Sequence, residues 1–410
     1  MKKNLTLIML AFYASSIFAQ INIFNQGIIK QKHYLQKIPY QEIRGSLIVS
    51  VTINGKSYNF LFDTGSTTLA ISDKIYKELN LQIIRQINAS DASGHTEEIR
   101  FILFPEIDIY GITFLNTPGV VFPESSEATK LAECFEIDGV IGSNMLRNSV
   151  VQFDEQNKQI IIANDIKRVL LQNSECQRMK LSFKHSAPYI KITLQKGVHK
   201  HKTVHNVLFD SGDAGGFFTL SLTKVYGNII DKIAESDGSF EIGVHGVYKK
   251  QKHLLLCIPI LDISGTIFND VIATTTHTTY SRIGTKLLQY GKITLNYKNK
   301  HFYFEPFDSI NTNKPVAPPL ASSLNFQNDK LVVGIIWDKQ LESQINLGDE
   351  ILNINGIDIQ SMDFCDKNNL KIPPSDKYIW ELRDIYSNDI KKIEIKQLQL
   401  SKNKENDAKK

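Results

Sequence analysis

Leu61–Ser66, with the sequence LFDTGS, returns 147 residues later as Leu208–Gly212, with the sequence LFDSG. Both copies are apolar runs that end in an aspartate, a hydroxyl residue and a glycine. A single tripeptide of this kind predicts only a turn in which the aspartate caps its own backbone. Two copies at matching places in a repeat predict a duplicated fold, because duplicated units usually pack about a pseudo-twofold axis that brings the two turns face to face.

The residues around the two copies repeat as well. Before the first copy, Leu47–Ile53 alternates apolar and polar residues and ends in Asn54-Gly55, a dipeptide typical of hairpin turns. Tyr189–Leu194 enters a turn in the same way before the second copy. Three further pairs of segments match, namely Ile107–Phe114 with Leu261–Phe268, Val140–Leu146 with Arg282–Leu288, and the hairpin Val150–Ile162 with the hairpin Ile293–Phe304. Strand patterns dominate, so each half is predicted to be a small β unit.

Length and composition place the chain among ordinary globular proteins. It has 410 residues, enough for two or three domains. Hydrophobic residues make up 42% and charged residues 22%, which excludes a mostly disordered chain, a collagen-like repeat and a disulfide-dense miniprotein. The 47 basic and 43 acidic residues leave a net charge of +4, so no nucleic-acid partner is predicted.

A third unit is predicted at residues 320–400, after a stiff proline-containing linker at 309–319. Its patterns are two apolar runs, Leu331–Ile336 and Leu347–Gly356, a helix-like stretch at Lys377–Ile385 and a final strand at Lys392–Leu398. About 80 residues suffice for an independent module. Residues 401–410 are polar and are expected to be disordered.

The N-terminus predicts export. Lys2 and Lys3 precede the apolar run Leu5–Phe18 and the small residue Ala19, a pattern typical of a secretory signal peptide over residues 1–19. An uncleaved anchor is the alternative, although the run is shorter than a membrane span needs. No later segment approaches that length, so we expect no integral membrane segment after cleavage. The protein is expected in the periplasm, at the cell surface or secreted, with residues 20–41 as an N-terminal segment before the first lobe.

Cysteines and histidines give weaker signals. The cysteines are Cys134, Cys176, Cys257 and Cys365. An oxidising compartment permits disulfides, but spacing alone does not choose among the pairings. His199, His201 and His205 alternate with other residues near a predicted turn, beside lysines. A solvated hairpin tip is favoured there over a zinc site, and no metal site is predicted.

The repeated aspartates carry the predicted chemistry. Two carboxyls held a few ångströms apart do not both ionise easily, so they share one proton. A water between Asp63 and Asp210 is then activated by the ionised carboxyl, while the protonated carboxyl stabilises the oxyanion that forms on a peptide carbonyl. The glycine after each hydroxyl residue lets backbone N–H groups approach the carboxyl. This chemistry needs neither a nucleophilic side chain nor a cofactor.

These motifs resemble the two active-site loops of pepsin/retropepsin-like aspartic peptidases, over roughly residues 40–308. Residues 320–400 resemble a PDZ domain, and the combination is similar to secreted bacterial aspartyl proteases with a C-terminal PDZ domain. The resemblance implies a mostly β fold, with two pseudo-symmetric retropepsin-like lobes (acid protease fold) at residues 42–168 and 178–308 and a small α+β PDZ-like domain. It also implies a catalytic pair and a set of supporting residues. The pair is Asp63 and Asp210, and the supporting residues are Thr64, Gly65, Ser66, Ser211 and Gly212.

The chain departs from the family pattern at two positions. Asp213 stands where the first copy has Ser66, and Arg282 stands before Ile283 where an apolar residue is usual. We interpret Asp213 as pointing to solvent, and the alternative is that this third carboxylate raises the pKa of the pair.

Two further ligand-contacting regions follow from the resemblance. Substrate-covering flaps are predicted at Ser93, Gly94 and His95 and at Gly243 and Gly246, with plain surface hairpins as the alternative. A PDZ ligand loop is predicted at Leu324, Asn325 and Phe326. It would bind a C-terminal peptide, or else have a packing role.

The leading hypothesis is therefore an aspartic-type endopeptidase acting on a peptide or protein substrate. The rival is a non-catalytic peptide-binding scaffold, made of an inactive protease fold and a PDZ module. A protease that acts as a dimer is a third possibility, against which the duplicated halves argue.

Overall fold

The computed structural model describes residues 26–90, 96–122, 127–172, 175–182, 186–197, 201–214, 216–239, 242–243, 246–247, 250–307 and 319–398. The predicted signal peptide, the C-terminal tail and all but the last residue of the linker lie outside these residues. Strands account for 54% of the structure and helices for 13%, which confirms the prediction of a mostly β fold.

The first lobe is built around a nine-stranded sheet. Its strand order is β1-β9-β6-β10-β5-β4-β8-β7, with β3 paired to β4. The elements up to residue 168 are β1 (Ile28–Ile29), β2 (Leu35–Pro39), β3 (Gln41–Ile43), β4 (Ser46–Ile53), β5 (Lys56–Phe62), β6 (Leu69–Ile71), α1 (Asp73–Leu79), β7 (Ile83–Ser90), β8 (Thr96–Ile109), β9 (Ile112–Val121), α2 (Glu127–Cys134), β10 (Gly139–Ile141), α3 (Ser143–Leu146), β11 (Val150–Asp154), a 3₁₀ turn (Glu155–Asn157), β12 (Gln159–Ala163) and a 3₁₀ turn (Ile166–Arg168).

The second lobe repeats this arrangement. Its order β22-β17-β23-β16-β15-β21-β18 matches β9-β6-β10-β5-β4-β8-β7 strand for strand, which confirms the internal repeat. The elements are β13 (Gln177–Arg178), β14 (Lys180–Leu181), β15 (Pro188–Lys196), β16 (His201–Phe209), β17 (Phe218–Ser221), a 3₁₀ turn (Leu222–Lys224), β18 (Asp231–Gly238), β19 (Ile242–Gly243), β20 (Gly246–Val247), β21 (Gln251–Ile263), β22 (Thr266–Thr276), β23 (Arg282–Ile283), a 3₁₀ turn (Thr285–Gln289), β24 (Gly291–Asn296) and β25 (His301–Pro306).

The turn dipeptides fix the strand register. Asn54 and Gly55 have φ values of 50° and 77°, so both occupy the left-handed region that a tight hairpin needs, and Ile53 pairs with Lys56. The β4 and β5 side chains then alternate between the core and the outside, so the register of this hairpin sets which face of the chain is buried.

One sheet joins the two lobes. Its order β13-β25-β24-β11-β12-β2 takes strands from both, and β11 pairs with β24 at the centre. Residues 35–39 pair with β12 along their whole length, and Ile38 is fully buried. The segment that the sequence analysis set before the first lobe therefore contributes an edge strand to the shared sheet.

The third domain has its own hydrophobic core, which includes Trp380 and Leu382. Its elements are β26 (Ser322–Gln327), β27 (Lys330–Ile336), a 3₁₀ turn (Lys339–Ser343), β28 (Glu350–Ile354), β29 (Ile357–Asp358), α4 (Phe364–Asn369), β30 (Lys377–Arg383) and β31 (Ile390–Lys396). The helix predicted at Lys377–Ile385 is wrong, because the buried residues there alternate with period two in a β-strand.

A second prediction for the third domain is also wrong. Leu324, Asn325 and Phe326 lie within strand β26, not in a loop, and pair with β27.

The third domain is attached to both lobes. The β18 strand of the second lobe pairs with β27, and the Ser239 N–H donates to the Gly334 carbonyl at 3.1 Å. Apolar side chains of both domains pack at this junction, among them Leu255 and Ile335. On the first-lobe side, a disulfide between Cys134 and Cys365 joins α2 to α4. Cysteine spacing did not choose among the possible pairings. In the folded chain, two helix ends that are distant in sequence lie together and bring these two cysteines into contact.

None of the described helices is both long and apolar enough to cross a membrane.

We predict that the disulfide stabilises the docked third domain. Cys134→Ser with Cys365→Ser should lower its free energy of unfolding by about 2–4 kcal/mol, because a cross-link over 231 residues restricts the unfolded chain. Thermal unfolding and limited proteolysis measure this effect. Cys176→Ser, at an exposed free cysteine, is the matched control and should change neither measurement. Equal stability of the double variant and the control would contradict the prediction.

Candidate active site

Each predicted aspartate sits where a parallel strand pair ends. β5 pairs in parallel with β10, and β16 pairs in parallel with β23. The Asp63 N–H donates to the Ile141 carbonyl at 3.1 Å, and the Asp210 N–H donates to the Ile283 carbonyl at 2.9 Å. The apolar runs that precede the aspartates are thus the strands that place them at equivalent points of the two lobes.

The two loops are cross-linked by reciprocal hydrogen bonds. The Thr64 hydroxyl donates to the Phe209 carbonyl at 2.7 Å and accepts from the Ser211 N–H at 3.0 Å. The Ser211 hydroxyl donates to the Phe62 carbonyl at 2.7 Å and accepts from the Thr64 N–H at 2.9 Å. Thr64 and Ser211 are both fully buried. Four bonds in a dry interior therefore hold one loop against the other.

The two glycines bring the carboxyls together. A methyl group on Gly65 would overlap with the Asp210 carboxyl, and one on Gly212 would overlap with the Asp63 carboxyl. The Asp63 and Asp210 carboxyls lie close enough for each to affect the pKa of the other. Each glycine is thus required by the close approach of the opposite aspartate.

Backbone donors hold the two carboxyls unequally. Asp63 Oδ1 accepts from the N–H groups of Gly65 at 2.8 Å and Ser66 at 2.9 Å. Asp210 Oδ1 accepts from the Gly212 N–H at 3.0 Å, whereas the Asp213 N–H goes to the Asp210 backbone carbonyl at 3.2 Å. The second N–H on the Asp63 carboxyl favours its ionised form.

The contribution of Ser66 is its backbone N–H. Its hydroxyl donates to the Thr68 carbonyl at 3.1 Å.

Three phenylalanines form the floor below the loops. Phe153, on the shared sheet, packs edge-on against Phe62 at 5.7 Å and against Phe209 at 5.5 Å between ring centroids. These rings are fully buried, so the strand ends that carry the aspartates rest on a rigid apolar base.

Further supporting residues were not predicted. The Ser143 hydroxyl donates to the Thr64 carbonyl at 2.5 Å, and the buried Asn144 amide group bonds the Leu69 N–H and the Pro118 carbonyl. In the second lobe the Thr285 N–H donates to the Asp213 carbonyl at 3.0 Å. The signal was present in the repeat, since Ser143 and Thr285 follow the matching Ile-Gly segments.

Burial dominates the electrostatics of the pair. It raises the pKa of Asp63, against the lowering effect of the Ser66 N–H. It also raises the pKa of Asp210 well above the ordinary value, and the negative charges of Asp63 and Asp213 add to this effect while Arg282 opposes it. The pair therefore retains a proton at a pH where isolated aspartates are ionised.

Asp213 does not point to solvent, so that interpretation is wrong. Its Oδ2 accepts from the Arg282 Nε at 2.5 Å, and their side chains are 15% and 17% exposed. The two departures from the family pattern are partners of each other, which the sequence could not show because 69 residues separate them.

The predicted flaps fall on two long hairpins. Strands β7 and β8 bracket residues 91–95, and Ser90 pairs with Thr96, while Ser93, Gly94 and His95 lie outside the described residues. In the second lobe Gly243 pairs with Gly246 between β19 and β20. Both lobes thus carry a hairpin at the predicted place.

The histidine interpretation is corrected in part. His205 is buried in the middle of β16, opposite Ile192, rather than at a solvated tip. Among the described residues no group of three or more His, Cys, Asp or Glu side chains could hold a metal ion.

A comparison with known protein families finds a match within the first lobe. Residues 49–148 match the family described as "gag-polyprotein putative aspartyl protease". This match includes Asp63 and supports a retropepsin-like aspartyl protease at the level of the family. No curated protein matches the chain.

We expect Thr64→Val to destabilise the protein by about 2–4 kcal/mol, because it leaves the buried Ser211 N–H and Phe209 carbonyl without their partner. Urea unfolding measures the loss. Thr52→Val, the same change on the half-buried outer part of β4, is the control. Equal stability of the two variants would show that the cross-links carry no net energy.

Asp210→Asn should raise the Tm at pH 7 but not at pH 3. The folded pair binds its proton more tightly than the unfolded chain does, so wild-type stability falls as pH rises from the ordinary aspartate pKa of 3.8 through the raised value. Asparagine removes that loss and keeps an oxygen for the Gly212 N–H. Asp262→Asn, at a half-buried aspartate that caps the Gly265 turn, is the control. A Tm gain that is the same at both pH values would contradict the linkage.

Proposed function

We propose that the protein is an aspartic-type endopeptidase that hydrolyses peptide bonds with a water activated by Asp63 and Asp210. The observation that carries the proposal is the pair itself: two aspartates from cross-linked loops approach each other across Gly65 and Gly212, and burial raises the pKa of both. Strongly perturbed acids in mutual contact are typical of catalytic sites. The family match of residues 49–148 supports the same activity.

The unequal surroundings suggest a role for each aspartate. Asp63 accepts two backbone N–H bonds, which favours its ionised form as the general base that takes the proton of the water. Asp210 accepts a single backbone N–H bond and faces the negative charge of Asp63, which favours its protonated form. In that form its hydroxyl donates to the peptide carbonyl and stabilises the developing oxyanion. As the amide bond breaks, the leaving nitrogen receives the proton that Asp63 took from the water.

We propose an extended peptide or protein as the substrate, covered by the two hairpins. Main-chain hydrogen bonds to hairpin strands hold such a ligand without demanding one sequence. The hairpin around residues 91–95 and the Gly243–Gly246 hairpin are the proposed flaps. Hairpins that close over the aspartates would exclude water from the reaction.

The third domain is proposed to be PDZ-like and to assist in peptide or partner recognition. Phe326 on β26 packs against Phe364 on α4 at 5.3 Å between ring centroids, so a strand and a helix flank an apolar wall suited to an added peptide strand.

We further propose that the protein is exported. The signal-like N-terminus predicts this, and the Cys134–Cys365 disulfide supports it, since such bonds persist in oxidising compartments.

The decisive test is hydrolysis of a peptide library at mildly acid pH. We expect cleavage by the wild type, inhibition by a pepstatin-type compound, and a loss of about 10³-fold or more in kcat/KM on Asp63→Asn, because the general base is removed. Asp108→Asn is the matched control, since Asp108 caps a turn of the same lobe through the Gly111 N–H and should retain activity.

The rival scaffold predicts the opposite result. Absence of cleavage by the wild type, together with peptide binding that survives Asp63→Asn, would replace the endopeptidase with a non-catalytic peptide-binding protein.

A further inference from the structure

A charged pair beside the aspartates distinguishes the second lobe from the first. Where the first lobe has the neutral residues Ser66 and Val140, the second has Asp213 and Arg282. The repeated strand order makes these positions equivalent, because β10 and β23 hold matching places in the two lobes. The duplicated halves therefore differ in charge directly beside the second aspartate.

The pair is held rigidly. The Asp213 N–H donates to the Asp210 carbonyl at 3.2 Å, and the Asp213 carbonyl accepts from the Thr285 N–H at 3.0 Å. Arg282 lies on β23 and pairs with Leu208 of the strand that leads into Asp210. The backbones of both partners are thus tied to the segment that positions the second aspartate, and the 2.5 Å ion pair joins their side chains.

Stability alone does not account for such a pair. An ion pair that is largely buried loses hydration and is often no more stabilising than apolar residues of similar volume. Beside Asp63 and Asp210, Arg282 alone would add a positive charge, and Asp213 alone would add a third carboxylate. Together they leave the local charge near zero.

We infer that Arg282 and Asp213 are positioning residues whose opposite charges offset each other beside Asp210, so that each keeps the other from shifting the pH range in which the two catalytic carboxyls share a single proton. This inference rests on the proposed function. Arg282 offsets the negative charge of Asp213, and Asp213 offsets the positive charge of Arg282.

Two tyrosines also lie near the catalytic carboxyls, but they carry no charge in the acid range. Tyr189 on β15 faces Asp210, and Tyr297 after β24 faces Asp63. Burial raises the pKa of both phenols, so both are neutral in the acid range. Among the described residues, Asp213 and Arg282 form an ion pair beside the catalytic carboxyls, and their charges act on Asp210 in opposite directions.

The test is a double-mutant cycle with two readouts. The first is the pH dependence of kcat/KM on a peptide substrate. The second is a ¹³C NMR titration of the aspartate carboxyls in labelled protein, which needs no activity. Arg282→Met leaves Asp213 unbalanced, so both apparent pKa values of the pair should rise by about half a unit or more. Asp213→Asn leaves Arg282 unbalanced, so both should fall by a similar amount.

Combining the substitutions should return both profiles to within about 0.2 units of the wild type, because the removed charges cancel. Arg383→Met is the matched control: it breaks a similar arginine–carboxylate pair with Glu350 in the third domain and should leave both profiles unchanged.

Shifts of the two single variants in the same direction, or no shifts, would overturn the inference and leave a structural role. If Arg282→Met does not fold, Asp213→Asn and the double variant decide between the same outcomes. An inactive wild type would overturn the proposed function, whereas the NMR titration would still decide the charge balance.

Discussion

The reciprocal hydrogen bonds between Thr64 and Ser211 are the constraint on which the site depends. Two half-buried carboxyls placed close together are unfavourable for folding, because loss of hydration and mutual repulsion both oppose ionisation. The four bonds of these two residues oppose that strain and lie in an interior without solvent, where breaking them would leave buried groups unpaired. The aspartate pair persists because the loops that carry it cannot separate cheaply.

Duplication supplies the symmetry of the site, and local departures from symmetry supply its chemistry. Two identical carboxyls would have no preferred place for a shared proton. Here Asp63 receives a second backbone N–H from Ser66, whereas Asp213, the counterpart of Ser66, bonds backbone and arginine. These differences bias the proton toward Asp210, and they arise at the very positions where the two copies of the repeat differ in sequence.

The sequence predicted what short-range patterns determine. The period-two runs, the Asn54-Gly55 turn and the recurring aspartate loops led to a duplicated β fold, and the equal strand orders confirm it. Contacts between residues distant in sequence were not predicted. The Asp213–Arg282 ion pair and the Cys134–Cys365 disulfide join segments that come together only in the folded chain. The wrong helix prediction at β30 has a local cause, because a short stretch that contains Glu381 and Arg383 also fits a helix pattern. The burial of Trp380 and Leu382 in the third domain favours a strand there.

The third domain breaks the symmetry on a larger scale. A duplicated lobe presents equivalent edge strands, here β7 and β18, and an open edge invites pairing with other chains. β27 pairs with β18, so this edge of the second lobe is continued into the third domain. A single sheet junction would act as a hinge, but the disulfide from α4 to α2 adds a second attachment on the other lobe. Two separated attachments restrain rotation of the third domain. The hairpin that extends from β18 is therefore supported by the third domain, and this support does not come from the internal repeat.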